Sequence, residues 1–393
     1  MKQLLAYCLS IILCVSFTGC MENYLDLYPE DKITSASFPE NESDIKLLLN
    51  GVYAQLREKE VYNQGLFGFG ITDGATPNAF NWGTDEVFNK LGAGRLSSSD
   101  GGVVTYRWKR CYEIISRANY LLACMDLVDL SEEAKAKYSG ETHFLRGLAY
   151  SVLAETYGGV PIILTNISTE EARSLKRASL EETWQQALDD YEVAITNLGV
   201  DAPEPGRATK GAALGMKMRA YLYQGKYKEV LSCVEQIDAL KKYGLFHSYE
   251  GLFDPANENN KEVLFDIQYI EGENSQGSYI DQYCGTGTGS WTRGSRYVPT
   301  DDLVAAYETI DGSPVDPENP YENRDPRLGF TAVLPGSYFL GYRFPNYLYP
   351  GGAFNHAGNR LKHLSLDVEC RHLDIADSNS IGSFVSKFRH DFN

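Results

Sequence analysis

Apolar residues recur at three- and four-residue steps over most of positions 41–242, the period of helices with one buried face. Ile45, Leu48, Leu49, Val52 and Leu56 form one stripe; Trp108, Cys111, Tyr112, Ile115, Ala118 and Leu122 form a second. Phe144, Leu145, Leu148, Ala149, Val152 and Leu153 line the wide face of a third helix. Ser131 caps its start, with Glu132 and Glu133 at the positive end of the dipole, and Tyr157-Gly158-Gly159-Val160-Pro161 stops it. The capping box Ser179-x-x-Glu182 opens a fourth helix carrying Trp184, Leu188, Tyr191, Ile195 and Leu198. A fifth is predicted from about Ala208 to Gln224. After Gly225 a sixth carries Tyr227, Val230, Leu231, Val234 and Ile237.

These helices are expected in antiparallel pairs. Ala220-Tyr221-Leu222-Tyr223-Gln224-Gly225-Lys226-Tyr227 resembles the junction of a tetratricopeptide repeat, and Tyr157-Gly158 lies about two 34-residue repeats earlier. One helix pair cannot bury its own apolar face, so such pairs stack. The expected fold is mostly α: a tetratricopeptide-like αα-repeat scaffold with long irregular loops and a few short β-strands, one at Val263–Ile267. Two stretches, 62–103 and 271–360, are rich in Gly, Asn, Ser, Pro and Tyr and lack helical periodicity. Long irregular segments in a compact protein tend to carry function.

The N-terminus reads as an address. Lys2 precedes an apolar run from Leu4 to Phe17, too short to cross a bilayer, which takes roughly 20 residues. Phe17-Thr18-Gly19-Cys20 resembles a bacterial lipobox, which makes Cys20 the expected lipidation site and first mature residue. The expected organisation is a lipoprotein signal peptide at 1–19, a tether at 20–40 and a single domain at 41–393. Within that domain, a helical-repeat core covers about 41–245 and a loop-rich ligand-binding part about 246–393.

The net charge of −17 repels phosphate backbones, so nucleic acid is excluded as an expected partner. Cys111, Cys124 and Cys233 fall in helical patterns and read as small core residues, not a disulfide framework. None of His143, His247, His356, His363, His372 and His390 has metal-ligand spacing. Gly285-Thr286-Gly287-Thr288-Gly289-Ser290 lacks the Lys of a phosphate loop. Acidic doublets at Glu132-Glu133, Glu170-Glu171, Glu181-Glu182, Asp189-Asp190 and Asp301-Asp302 read as helix caps or solvated faces, because adjacent helical residues point apart. No catalytic residue, metal or cofactor is expected. The remaining inventory is that of a binder: 27 Tyr, 17 Phe and 4 Trp, many of them in the irregular stretches. Flat rings pack against the C–H faces of sugars, and neighbouring Asn, Asp and Arg bond the hydroxyls. Asp73, Asn78, Phe80, Asn81 and Trp82 form one candidate cluster. Tyr283, Trp291, Arg293, Arg296 and Tyr297 form a second.

These motifs, in order, resemble the SusD/RagB outer-membrane nutrient-binding lipoproteins of Bacteroidetes. The lipid cysteine is followed by Tyr24-Leu25-Asp26 and Pro29-Glu30-Asp31-Lys32-Ile33, and then by Leu49-Asn50-Gly51-Val52-Tyr53. Trp108, Tyr112, Ile115, Ala118 and Asn119 come next. Phe144-Leu145-Arg146-Gly147-Leu148-Ala149-Tyr150, Tyr157 to Pro161, and Asn319-Pro320-Tyr321-Glu322-Asn323-Arg324-Asp325-Pro326-Arg327-Leu328 are the most characteristic. Asn119 is expected to bond to a neighbouring helix, and Arg324, Asp325 and Arg327 to lock a turn. The resemblance implies a non-catalytic protein anchored on the outer leaflet of the outer membrane, serving as lid to a SusC-like TonB-dependent transporter barrel. It implies capture of oligosaccharides, less often of peptides; a scaffold with no ligand of its own stays open as an alternative. Family members usually continue beyond the position of Asn393 with a further helix pair, so the chain is expected to be C-terminally shortened.

Overall fold

The computed structural model describes residues 38–58, 73–81, 90–97, 99–269, 297–335, 337–339 and 342–343. Helix α1 spans Glu42–Tyr53, α2 Val103–Cys124, α3 Glu132–Tyr157, α4 Thr169–Ser174 and α5 Leu180–Asn197. Then come α6 at Lys210–Tyr223, α7 at Tyr227–Ala239, α8 at Asp301–Ala306 and α9 at Arg327–Thr331. Strands are few and short: β1 at Ala79–Asn81, β2 at Tyr297–Pro299, β3 at Tyr338–Phe339 and β4 at Tyr342–Arg343. The chain is mostly α, as the periodicity predicts.

Side-chain caps set where these helices begin. The oxygens of Asn41, Ser131, Thr209 and Thr300 accept backbone N–H groups of α1, α3, α6 and α8. Both Ser168 and Ser179 form complete capping boxes, with Glu171 and Glu182 returning the bond. At the other end of α3, Gly158 adopts φ +74, and Gly225 at φ +69 separates α6 from α7.

Helix α3 is the centre of the body and packs on α1, α2, α5 and α6; its face from Phe144 to Ala154 is buried almost without interruption. Tyr150, Tyr191 and Phe144 are among the largest fully buried side chains. Cys111, Cys124 and Cys233 are buried free thiols, as expected of core residues. Burial pushes the Cys111 thiol up to about 12.

Two polar locks cross this apolar interior. Arg146 on α3 forks onto Asp190 of α5, Nη2 to Oδ1 at 2.7 Å and Nε to Oδ2 at 3.0 Å, with both side chains buried. Its Nη1 donates to Asn119 Oδ1 on α2 at 2.8 Å. Asn119 Nδ2 in turn donates to the Ile163 and Thr165 carbonyls. The expected interhelical bond of Asn119 is present and extends into the segment after α3. Asp190 departs from the expected solvated acid: Asp189 faces out and accepts from Gln185, whereas Asp190 is 1 % exposed. The second lock joins α1, α3 and the lead into α6. Buried Glu141 accepts from the Tyr53 hydroxyl at 2.8 Å and faces Arg207 at 3.5 Å. Arg207 Nη2 also donates to Asn50 Oδ1 at 2.5 Å. Burial raises the Glu141 carboxyl above its usual range, opposed by Tyr53 and Arg207.

Two further expectations are corrected. The apolar stripe of α7 is largely uncovered: Tyr227, Leu231 and Val234 are exposed, and Cys233 is the residue of that helix that buries. One face of α7 meets α6, and no described element covers the stripe. Residues 263–267 form no strand. They cross the helical layer irregularly, with Phe265 set edge-on to Phe144 at 4.9 Å and Leu264 over Gly215, so side-chain packing takes the place of a ladder.

Candidate functional site

Among the described residues, Asn81 of the first sequence cluster lies opposite Tyr297 of the second. β1 pairs antiparallel with β2, placing Ala79 opposite Pro299, Phe80 opposite Val298 and Asn81 opposite Tyr297. A two-stranded ribbon of three residues each is marginal by itself, and flanking bonds extend it. The Thr300 N–H donates to the Asn78 carbonyl at 3.0 Å, and the Thr300 hydroxyl donates to the Pro77 carbonyl, 223 residues away in sequence. Before β1 the chain turns tightly. Both the N–H and the hydroxyl of Thr76 donate to the Asp73 carbonyl, at 2.9 and 2.8 Å, and the Asn78 N–H donates to Thr76 Oγ1 at 3.1 Å.

On this ribbon Phe80 is 53 % exposed, and Asn78 beside it is exposed. A phenyl ring held out on a strand, with the exposed amide of Asn78 two residues before it, presents a flat apolar face next to a hydrogen-bonding group. Of the predicted site residues, the structure brings Asp73, Asn78, Phe80 and the backbones of Asn81 and Tyr297 into this one clasped unit. Trp82, Tyr283, Trp291, Arg293, Arg296 and the lipidation residue Cys20 lie outside the described residues.

Thr76 and Thr300 were missing from the sequence reading. For Thr300 a signal exists, since Thr followed by Asp301-Asp302 is an N-cap with acids in the first turn. Its second role, reaching across to Pro77, has no local signature. The expected lock at Arg324, Asp325 and Arg327 is present. Arg324 is buried and donates to the carbonyls of Pro320, Val304 and Tyr307 at 2.6, 2.5 and 2.6 Å. Arg327 forks onto Asp325, which holds the Asp325 carboxyl below the usual range.

A half-open depression of ≈ 200 Å³ lies elsewhere, between Arg207, Thr209, Tyr243, Lys261, Leu264 and Asp266. Much of its polar wall is already engaged. Arg207 serves the Glu141 lock, Lys242 bonds the Val200 carbonyl and Asp201, and the Tyr243 hydroxyl meets Thr209 Oγ1 at 3.1 Å. It reads as a packing seam. Among the described residues no group of His, Cys, Asp and Glu is arranged to hold a metal ion, and no helix is long and apolar enough to cross a membrane.

Comparison with known proteins gives concordant matches. A family model described as SusD-like, "Starch-binding associating with outer membrane", matches residues 23–222, and a SusD family model matches residues 261–380. A SusD-like protein of Formosa agariphila is 26 % identical over 321 residues, which are 76 % of this chain and 58 % of that relative. A SusD-like protein of Bacteroides ovatus is 23 % identical over 65 % of this chain and 48 % of its own length. The chain therefore spans about half to three-fifths of the curated relatives it matches. Among solved structures, a SusD-like carbohydrate-binding protein of Bacteroides fragilis superposes with a TM-score of 0.68 at 27 % identity, covering 77 % of this chain and 61 % of that one. A laminarin-binding SusD-like protein shares the fold, with a TM-score of 0.55 at 21 % identity over 65 % of this chain and 55 % of its own.

Proposed function

We propose, from the premise that this chain belongs to the SusD family, that it is a non-catalytic binder of a nutrient oligosaccharide or polysaccharide. The observation that carries the proposal is the pairing of β1 with β2, which joins two aromatic-rich segments into one unit with an exposed ring. A family described as starch-binding, and a Bacteroides fragilis relative described as carbohydrate-binding, support the ligand class. The acidic surface and the aromatic composition agree with a neutral polyhydroxylated ligand better than with a phosphorylated one. In the same proposal the chain is held at the outer membrane through acylated Cys20, facing the exterior, and passes its ligand to a SusC-like TonB-dependent barrel.

Native gels cast with starch, laminarin or other soluble polysaccharides test the ligand class. One of them is expected to retard the mature protein, and Phe80→Ala, Trp82→Ala and Trp291→Ala to weaken retention roughly tenfold each, which corresponds to about 1.4 kcal/mol per lost ring. Retention by no glycan, with calorimetric heat from peptides instead, would replace the glycan by a peptide. Retention unaffected by all three substitutions would remove the ribbon from the site. In cells, Cys20→Ser is expected to release the protein from the outer-membrane fraction, and unchanged recovery there would end the anchor proposal.

A further inference from the structure

The sequence motif from Asn319 to Leu328 lies outside both candidate clusters in the sequence, and its central arginine is buried at 7 % exposure. A buried guanidinium needs partners: Arg324 Nη2 donates to the carbonyls of Val304 and Tyr307 at the far end of α8, and Nη1 to that of Pro320 within the motif. The carbonyls of Val304 and Tyr307 close the C-terminal end of a short helix, where backbone acceptors run short of intrahelical donors, and that of Val304 also takes the Tyr307 N–H at 3.4 Å. Around it the backbones of 308–310 and 323–325 pair, Asp325 N–H to the Glu308 carbonyl at 2.8 Å and Ile310 N–H to the Asn323 carbonyl at 2.9 Å. The C-terminal end of α8 is thereby fixed to the motif.

The N-terminal end of α8 is fixed by Thr300, whose hydroxyl has two jobs at once. It accepts the Leu303 N–H at 3.1 Å as the helix cap and donates its own proton to the Pro77 carbonyl. A hydroxyl offers one donor and two acceptor positions, so both bonds are satisfied together. The Thr300 N–H adds the bond to Asn78, the residue two before Phe80. From Arg324 through α8 to Thr300 and the turn at Pro77-Asn78, each link is a named hydrogen bond.

We propose that Thr300 is a positioning residue for the ligand ribbon: it clasps the 73–81 segment to a strut, α8, whose other end Arg324 holds. The Asn319–Leu328 motif then acts on binding without contacting ligand, by setting where β1 and Phe80 stand. This rests on the reading of the ribbon as the glycan site. Thr300→Val removes the donor and the cap while keeping the branched shape; Thr300→Ser keeps both.

Amide hydrogen exchange on the full mature protein tests the clasp without any ligand. Thr300→Val is expected to raise exchange about tenfold in 300–306 and in 76–81 together, the scale of one lost hydrogen bond, with Thr300→Ser near wild type. Arg324→Lys, which cannot reach three carbonyls, is expected to raise exchange in the same two segments. A rise confined to 300–306 would mean Thr300 is only a cap and would overturn the clasp. Binding tests the consequence: with a polysaccharide that retards the wild type, Thr300→Val is expected to bind about tenfold more weakly and Thr300→Ser to recover it. Equal binding by Thr300→Val despite faster exchange at 76–81 would overturn the positioning role. If the wild type binds no glycan, the functional reading fails while the exchange result still decides the clasp.

Discussion

An Arg146→Met protein is expected to lose about 3–5 kcal/mol of unfolding free energy, among the largest effects any single substitution here should have. The cause is the partner left behind. Asp190 is 1 % exposed and accepts from the guanidinium through both oxygens. With Met at position 146 its charge has neither water nor a cation, and Asn119 Oδ1 loses its 2.8 Å donor as well. The pair also sits where α2, α3 and α5 converge, so helices cannot part locally to admit water without undoing the core. Adding Asp190→Leu to Arg146→Met should restore most of the loss, because two apolar side chains of similar volume can fill the same space at little cost. Recovery should stop short of wild type, since the Asn119 oxygen still lacks its donor. Urea titrations of the two variants and the wild type decide this. A single variant within about 1 kcal/mol of wild type would mean that solvent reaches Asp190 after all.

That lock shows where sequence reasoning stops. The stripes through Phe144–Leu153 and Trp184–Leu198 were legible because helical burial repeats with a local period, and the caps at Ser131 and Ser179 because their partners lie within three residues. Asp190 was not, since one member of an exposed-looking acidic doublet becomes buried only through an arginine 44 residues earlier. The α7 stripe failed in the opposite sense. Its period announces an apolar face but not whether a neighbour arrives to cover it, and among the described elements none does. Val263–Ile267 has strand composition, yet a strand exists only with a ladder partner, and the helices beneath it offer side chains instead. The candidate site was half legible. Composition marked both loops, but the pairing of Phe80 with Val298 depends on tertiary approach, and the clasp at Thr300 is hidden behind an ordinary N-cap.

The two glycines of Tyr157-Gly158-Gly159-Val160-Pro161 are expected to respond to alanine very differently, although they are neighbours. Gly158 has open space around it; its difficulty is conformational. At φ 74 and ψ −138 it occupies a region that L-residues with a Cβ avoid, and Asn, which tolerates the left-handed helical region, gains nothing there. Gly158→Ala should cost about 1–3 kcal/mol. Gly159 fails on space instead. A Cβ there would stand 2.0 Å from the Ala178 carbonyl oxygen and 2.8 Å from the Ser179 carbonyl carbon, both backbone atoms. Retreat is blocked on every side. Ala178 N–H bonds the Val160 carbonyl at 3.0 Å, Val160 N–H bonds Thr183 Oγ1 at 3.1 Å, and Arg177 bonds the carbonyls of Gly159 and Tyr157. Relieving the overlap therefore breaks several of these bonds and lifts the segment that seats Tyr112 and Tyr150, whose hydroxyls donate to the Pro161 and Ile163 carbonyls. Gly159→Ala should cost about 3 kcal/mol or more, beyond the usual range for a single added methyl. Thermal unfolding of the pair tests the distinction. If Gly158→Ala proved the more damaging, the close approach of residues 159 and 178 would not exist in solution.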